Sequence, residues 1–173
     1  MPRSPLVIRR TTYDHPDVAR LVAEVQEEYR RRYGSPDAVP LDEAMFTEGL
    51  GGFFVGYEVT DGSADGPGEA VAMGGWRTRD DVSRLDSRRA AELKRMYVVP
   101  GARGRGHARA VLAHVEADAA AHDRDVLVLE TGTAQPEAIT LYLACGYEPV
   151  VPYGYYADEP DCRCYARRLL PAT

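Results

Sequence analysis

The sequence predicts one α/β domain of the α+β kind spanning residues 1–173. Three observations predict it. Apolar residues switch between period 2 and period 3.6 along the chain, in the order β-α-α-β-β-β-α-β-α-β-β. Two neighbouring strand-like runs, 53–59 and 70–76, flank a loop rich in Gly, Asp, Ser and Pro, as a hairpin does. Residues 92–119 read as a strand, a glycine-rich turn and a helix. At 173 residues the chain is long enough for one real core, with no linker, internal repeat or low-complexity tract to divide it.

Taken in order, Leu6, Val7 and Ile8 open the first strand. Asp14 is placed to cap a helix, with Pro16 in its first turn. Val18, Leu21, Val22, Val25 and Tyr29 then form one stripe, and Gly34 and Pro36 stop the helix. Residues 40–49 suggest a short second helix with Leu41 and Met45 turned inward. The hairpin follows, with its turn over 61–68. Residues 77–89 are so highly charged that they read as a solvated loop. The next strand ends at Pro100, which cannot donate to a ladder. Ala108, Val111, Leu112, Val115 and Ala119 line one face of the following helix. The short apolar run 125–130 suits a parallel strand buried on both faces. Pro136 starts the last helix and Gly146 ends it. Residues 147–151 and 162–169 are the closing strands, joined by an aromatic loop, Tyr153-Gly154-Tyr155-Tyr156.

Composition narrows the function. Hydrophobic content of 45% and charged content of 28% are ordinary for a soluble domain. A net charge of −6 disfavours nucleic acid as a general partner, since the arginines after Pro100 form a local cluster rather than a basic face. No apolar run approaches the roughly 20 residues of a membrane span, and the first residues lack a signal-peptide core, so a cytoplasmic protein is expected. Three cysteines without framework spacing fit a reducing compartment. Cys162 and Cys164 share one face of a strand but have no second Cys pair, so packing rather than a metal is expected of them.

The turn carries the chemistry. Gly104 and Gly106 leave the backbone uncovered, and a helix N-terminus presents free N–H groups and partial positive charge. Arg103, Arg105 and Arg109 add to it. A phosphate or pyrophosphate is therefore expected there. The P-loop pattern fails, because it needs Lys and Ser/Thr where the chain has His107 and Ala108. The dinucleotide pattern fails because its third glycine falls on Arg109. Arg-x-x-Gly-x-Gly/Ala fits at Arg103, Gly106 and Ala108.

That third pattern, in its strand–turn–helix setting, resembles the acyl-CoA pyrophosphate loop of the GCN5-related N-acetyltransferase (GNAT) superfamily. The element order also resembles that family, as do the words L-K-R-M-Y-V-V-P, L-E-T-G and A-I-T-L-Y-L-A-C-G-Y. The likeness covers nearly the whole chain; it is densest over 91–148 and weakest over 12–50. It implies a mixed, mostly antiparallel central sheet of about seven strands flanked by about four helices, splayed between the fourth and fifth strands. It implies an acetyl-CoA-dependent N-acetyltransferase acting on a primary amine of a small molecule by direct attack, with acetyl-CoA as co-substrate and no metal.

By the resemblance, Met96, Tyr97 and Val98 pair edge-on with the pantetheine arm, and Arg103, Gly104, Arg105, Gly106, His107, Ala108 and Arg109 hold the diphosphate, with the His107 side chain turned to solvent. His114 and His122 are read as helix-surface residues. Tyr142 is the candidate general acid for the leaving thiolate; packing alone is the alternative. Glu92, eleven residues before Arg103, is the candidate base, at the spacing seen in a histone-acetylating branch of the family; a surface strand Glu is the alternative. Glu130 is a competing carboxylate, counted with Tyr153 and Tyr155 on the acceptor side; Tyr156 and the acidic residues Asp158, Glu159 and Asp161 are nearby. A peptide-acetylating enzyme and a non-catalytic acyl-CoA sensor remain rival readings, and a homodimer is left open.

Overall fold

The computed structural model describes residues 5–59 and 68–171. Seven strands form one sheet in the order β1-β2-β3-β4-β5-β7-β6. They are β1 (Leu6–Thr11), β2 (Gly51–Glu58), β3 (Glu69–Thr78), β4 (Ala90–Val98), β5 (Val126–Gly132), β6 (Glu148–Val150) and β7 (Cys162–Arg168). All neighbours are antiparallel except β4 and β5. Among the described residues there are three α-helices: α1 (Pro16–Tyr33), α2 (His107–Ala121) and α3 (Pro136–Ala144).

Strand alternation sorts the core into layers. Phe54 packs with Val111, Leu112, Val115 and Tyr142 beneath α2 and α3. Its neighbours Phe53 and Val55 turn the other way and meet Val18, Leu21 and Val25 of α1. In β5, Leu127 and Leu129 join the first layer, whereas Val126 and Val128 join a third cluster with Tyr153, Cys162 and Cys164. Burial on both faces explains why 126–129 is continuously apolar.

Several local expectations are corrected. The second helix over 40–49 is only a 3₁₀ turn, Glu43–Phe46, capped by Asp42, whose carboxylate accepts from Met45 N–H at 3.2 Å. The chain there has room for a single turn before β2 begins at Gly51. The cap of α1 is His15, not Asp14; its ring Nδ1 accepts from the Asp17 amide at 3.1 Å. Gly34 closes α1 with φ 81°, as its position suggests. The 77–89 stretch is not all solvated, because β3 continues to Thr78 and both Arg77 and Arg79 reach a buried carboxylate, Glu92. The expected 61–68 turn lies almost wholly outside the described residues.

What positions the site is the parting of two strands. β4 and β5 pair only through Ala90, Ala91 and Glu92. β5 then pairs with β7 along its whole length, while β4 stays with β3. A register shift between Met73 and Gly75, with Arg95 at φ 56°, bends β4 at this point. The expected splay between the fourth and fifth strands is present.

Candidate functional site

The splay opens a cleft of about 720 Å³. Leu93 to Val98 of β4 form one wall, and Leu129 to Gly132 of β5 form the other. Antiparallel pairing fixes which way β4 amides point. Val99 N–H donates to Val71 C=O at 2.9 Å, so its neighbour Val98 turns its own N–H and C=O into the cleft. The Val98 carbonyl already accepts from Arg103 Nε at 2.9 Å.

At one end of the cleft stands the start of α2. Its cap is Gly106, in left-handed conformation, so no cap side chain covers the first-turn amides. Gly104 at φ 76° and Gly106 at φ 87° hold backbone geometry that other residues adopt only under strain. A Cβ at either would meet nothing within 4 Å, so conformation rather than crowding calls for glycine. The turn is anchored from behind. Arg105 donates to Glu58 of β2 at 2.7 Å and to Gly101 C=O at 2.8 Å. His107 is buried against the same Glu58, at 2.5 Å, not turned to solvent as expected. Glu58 gives the reason, since a carboxylate buried beneath the turn attracts both donors. Arg103 pairs with Glu28 of α1 at 2.7 Å, and Arg109 lies exposed beside the open amides. His114 is exposed, as expected, whereas His122 lies just past α2, partly buried and hydrogen-bonded to Asp118 C=O and Glu48.

Beyond the other end, on adjacent strands, stand two carboxylates in contrasting surroundings, of which Glu130 faces the cleft. Glu92 is 1% exposed and is held by Arg77 at 3.2 Å, Lys94 at 3.3 Å and Arg79. Burial alone would push its carboxyl up, but Lys94, Arg77 and Arg79 together bring it below the usual range. It is not the exposed strand residue considered as its alternative. Glu130 has a buried Oε2 with no hydrogen-bond partner. Burial raises its carboxyl, with Lys94 opposing. Glu130 lines both the cleft and a neighbouring cavity of about 580 Å³; Glu92 lines only the latter.

Tyr142 lines the cleft from α3 with its ring in the core, 5.7 Å from Tyr147. Burial raises its phenol and keeps it protonated. Tyr153 is buried between Arg79 and Arg84, away from the cleft. Tyr155 is 63% exposed on the smaller cavity. Tyr156, Glu159 and Asp161 reach the cleft itself.

Sequence reasoning missed the roof. Arg95, buried at the β4 bulge, pairs with Asp37 at 2.8 Å. Asp37 also accepts from the Tyr156 hydroxyl at 3.1 Å. These contacts fasten the segment after α1 over the cleft. Neither partner carries a local signal, because each is an ordinary charged residue until the fold unites them.

Comparison with known proteins gives a consistent picture. The model of the acetyltransferase (GNAT) family matches residues 19–147. The chain is 41% identical over 69 residues to an IAA acetyltransferase of Azospirillum brasilense, covering 40% of this chain and 45% of that one, so the match spans less than half of that relative. It is 30% identical over 159 residues to the uncharacterized N-acetyltransferase YjgM of Escherichia coli (strain K12), covering 86% and 85% of the two chains. A crystal structure from Klebsiella pneumoniae, proposed to be an acyl-CoA N-acyltransferase, superposes with a TM-score of 0.74 at 23% identity, over 96% of this chain and 99% of that one. That likeness concerns the fold alone.

Proposed function

Since the chain belongs to the GNAT family of acetyltransferases, we propose that it transfers an acetyl group from acetyl-CoA to a primary amine of a small molecule. One observation carries this reading: a single cleft has bare helix amides at one end and, at the other, a partly buried carboxylate with one buried oxygen lacking a hydrogen-bond partner. The residues present fit the co-substrate. The α2 amides, with Arg109 beside them, would hold its diphosphate, and the outward backbone of Met96 and Val98 would hold its pantetheine arm as an added strand. Acetyl-CoA supplies the thioester.

Every other task falls to the chain. Val98 N–H stabilises negative charge developing on the thioester oxygen. Glu130 takes the proton of the incoming ammonium; a carboxyl raised by burial suits a base better than one held low by three cations. That assigns Glu92 the task of neutralising Arg77, Arg79 and Lys94. Tyr142, its phenol kept protonated by burial, donates a hydrogen bond to the departing sulfur, and the thiolate takes its proton from solvent as it leaves. A small acceptor is favoured by the second cavity, which meets the cleft at Glu130 and is walled by Val39, Pro40 and Tyr155.

The test is an acceptor panel of free amines and peptides, read by release of free CoA. Turnover on one or more small amines, lost in Glu130→Gln, is the expected result. Turnover confined to peptides would overturn the small-acceptor reading. Binding of acetyl-CoA without turnover on any acceptor would point to the sensor instead.

A further inference from the structure

Beside the proposed base lies a feature that acetyl transfer does not use. Cys162 and Cys164 are two apart on β7, so strand alternation puts both sulfurs on one face. Glu130 of β5 is paired directly with Cys164 and projects to that same face. The carboxylate and both Sγ atoms lie within 4.8 Å of one another. Both cysteines are buried and free of disulfides. The sequence argued against a metal because no second Cys pair exists. The third donor comes from the neighbouring strand, which spacing along the chain does not reveal.

We propose that Glu130, Cys162 and Cys164 form a capture site for a soft divalent cation of zinc's size, and that its occupancy switches the enzyme off. The separation of the sulfurs fits. Two zinc–sulfur bonds of about 2.3 Å opened at the tetrahedral angle place the sulfurs about 3.8 Å apart. Here Sγ to Sγ is 3.8 Å. The orphan oxygen fits as well: Glu130 Oε2 is buried without a donor, as a ligand waiting for a cation would be. Two thiolates and a carboxylate carry one negative charge more than a divalent ion cancels. Lys94 and Arg79 near Glu130, and Arg84 near Cys164, offset it. Access is through the cleft, which Glu130 and Cys162 both line. On binding, each thiol releases its proton to solvent, two metal–sulfur bonds form, and a water or the acceptor amine can take the fourth position. No oxidant is required. The metal then sits on the carboxylate proposed to deprotonate the acceptor. The inhibitory consequence rests on that assignment; binding does not.

The experiment titrates the full-length protein with cadmium and follows the near-ultraviolet thiolate-to-metal charge-transfer band. A band saturating at one cadmium per chain, bleached by excess zinc, is expected. Cys145→Ser should keep it, Cys164→Ser should lose it, and Glu130→Gln should weaken binding by at least about tenfold. Far-UV circular dichroism shows that each variant is folded. Should Cys164→Ser not fold, Glu130→Gln and Cys145→Ser still decide. No band, or one that disappears with Cys145→Ser, overturns the site. In parallel, zinc should inhibit turnover reversibly by chelator in the parent and not in Cys164→Ser. A cadmium band without zinc inhibition would keep the binding site and overturn the switch, and with it the placement of Glu130 at the reaction centre.

Discussion

At the α2 end of the cleft the functional groups are backbone amides, and they are set by a run of neighbours: Pro100, Gly104 and Gly106, then the helix. At the Glu130 end the functional groups are side chains from β5, β4, β3, β7 and the segment after α1. The first end would survive much change elsewhere, because left-handed glycines and an uncapped helix are local properties. The second exists only while the tertiary fold holds its charges in balance. Three cations converge on Glu92 in one patch, while Glu130, one strand away, has a buried oxygen with no donor. Similar carboxylates thus acquire opposite characters from partners distant in sequence.

The largest expected effect separates these two carboxylates. Glu130→Gln should lower kcat by about 10²- to 10⁴-fold, the span of general-base catalysis, with the acetyl-CoA KM unchanged. Glu92→Gln should act first on stability. It leaves three buried or half-buried cations short of a counter-charge, a loss of about 3–5 kcal/mol where a buried pair is broken. A thermal melt checks this against kinetics below the transition. If Glu92→Gln melts like the parent but loses turnover, the roles are reversed and the contrast between the two carboxylates collapses.

The same contrast explains what could be read from the sequence. Strand order and the glycine turn into α2 were legible because they follow from Pro100, the glycines and apolar periodicity, whereas the splay was legible only through the resemblance to the family. Cys162 and Cys164 were legible as sharing a face, but their third neighbour was not. The cage around Glu92 was hidden by composition, since Arg77 and Arg79 sit in a stretch charged enough to look solvated. His107 was misread for a related reason: a turn residue looks exposed until β2 is known to place Glu58 beneath it. The roof formed by Arg95 and Asp37 depends on a bulge that no local residue type announces.

At the other end, Gly106→Ala tests whether backbone geometry alone does the binding. A Cβ there meets no atom within 4 Å, so the cost is conformational, about 1–2 kcal/mol. If the turn relaxes out of the left-handed region, the amides lose their aim, and KM for acetyl-CoA should rise about 5- to 30-fold, taking that cost as lost binding. Turnover at saturating co-substrate should be nearly preserved. A fall in kcat at unchanged KM would show that the two ends are not separable.

The smallest effect concerns the carboxylate that ties the turn to the sheet. Burial pushes the Glu58 carboxyl up, but hydrogen bonds from His107 and Arg105 outweigh it and leave it below its ordinary value near 4.5. A lowered folded value means that the unfolded chain binds the proton first. The stabilisation is therefore fully present above the unfolded pKa and is lost as pH falls through the folded one. Melting temperature should drop below about pH 4.5 more steeply in the parent than in Glu58→Gln, which has no proton to take up at that position. Because Glu58 holds both Arg105 and His107, the same variant should modestly raise the KM for acetyl-CoA at neutral pH. Parallel acid slopes with an unchanged KM would mean that the turn keeps its shape without its anchor, and that its glycines and the helix start are sufficient to hold the amides in place.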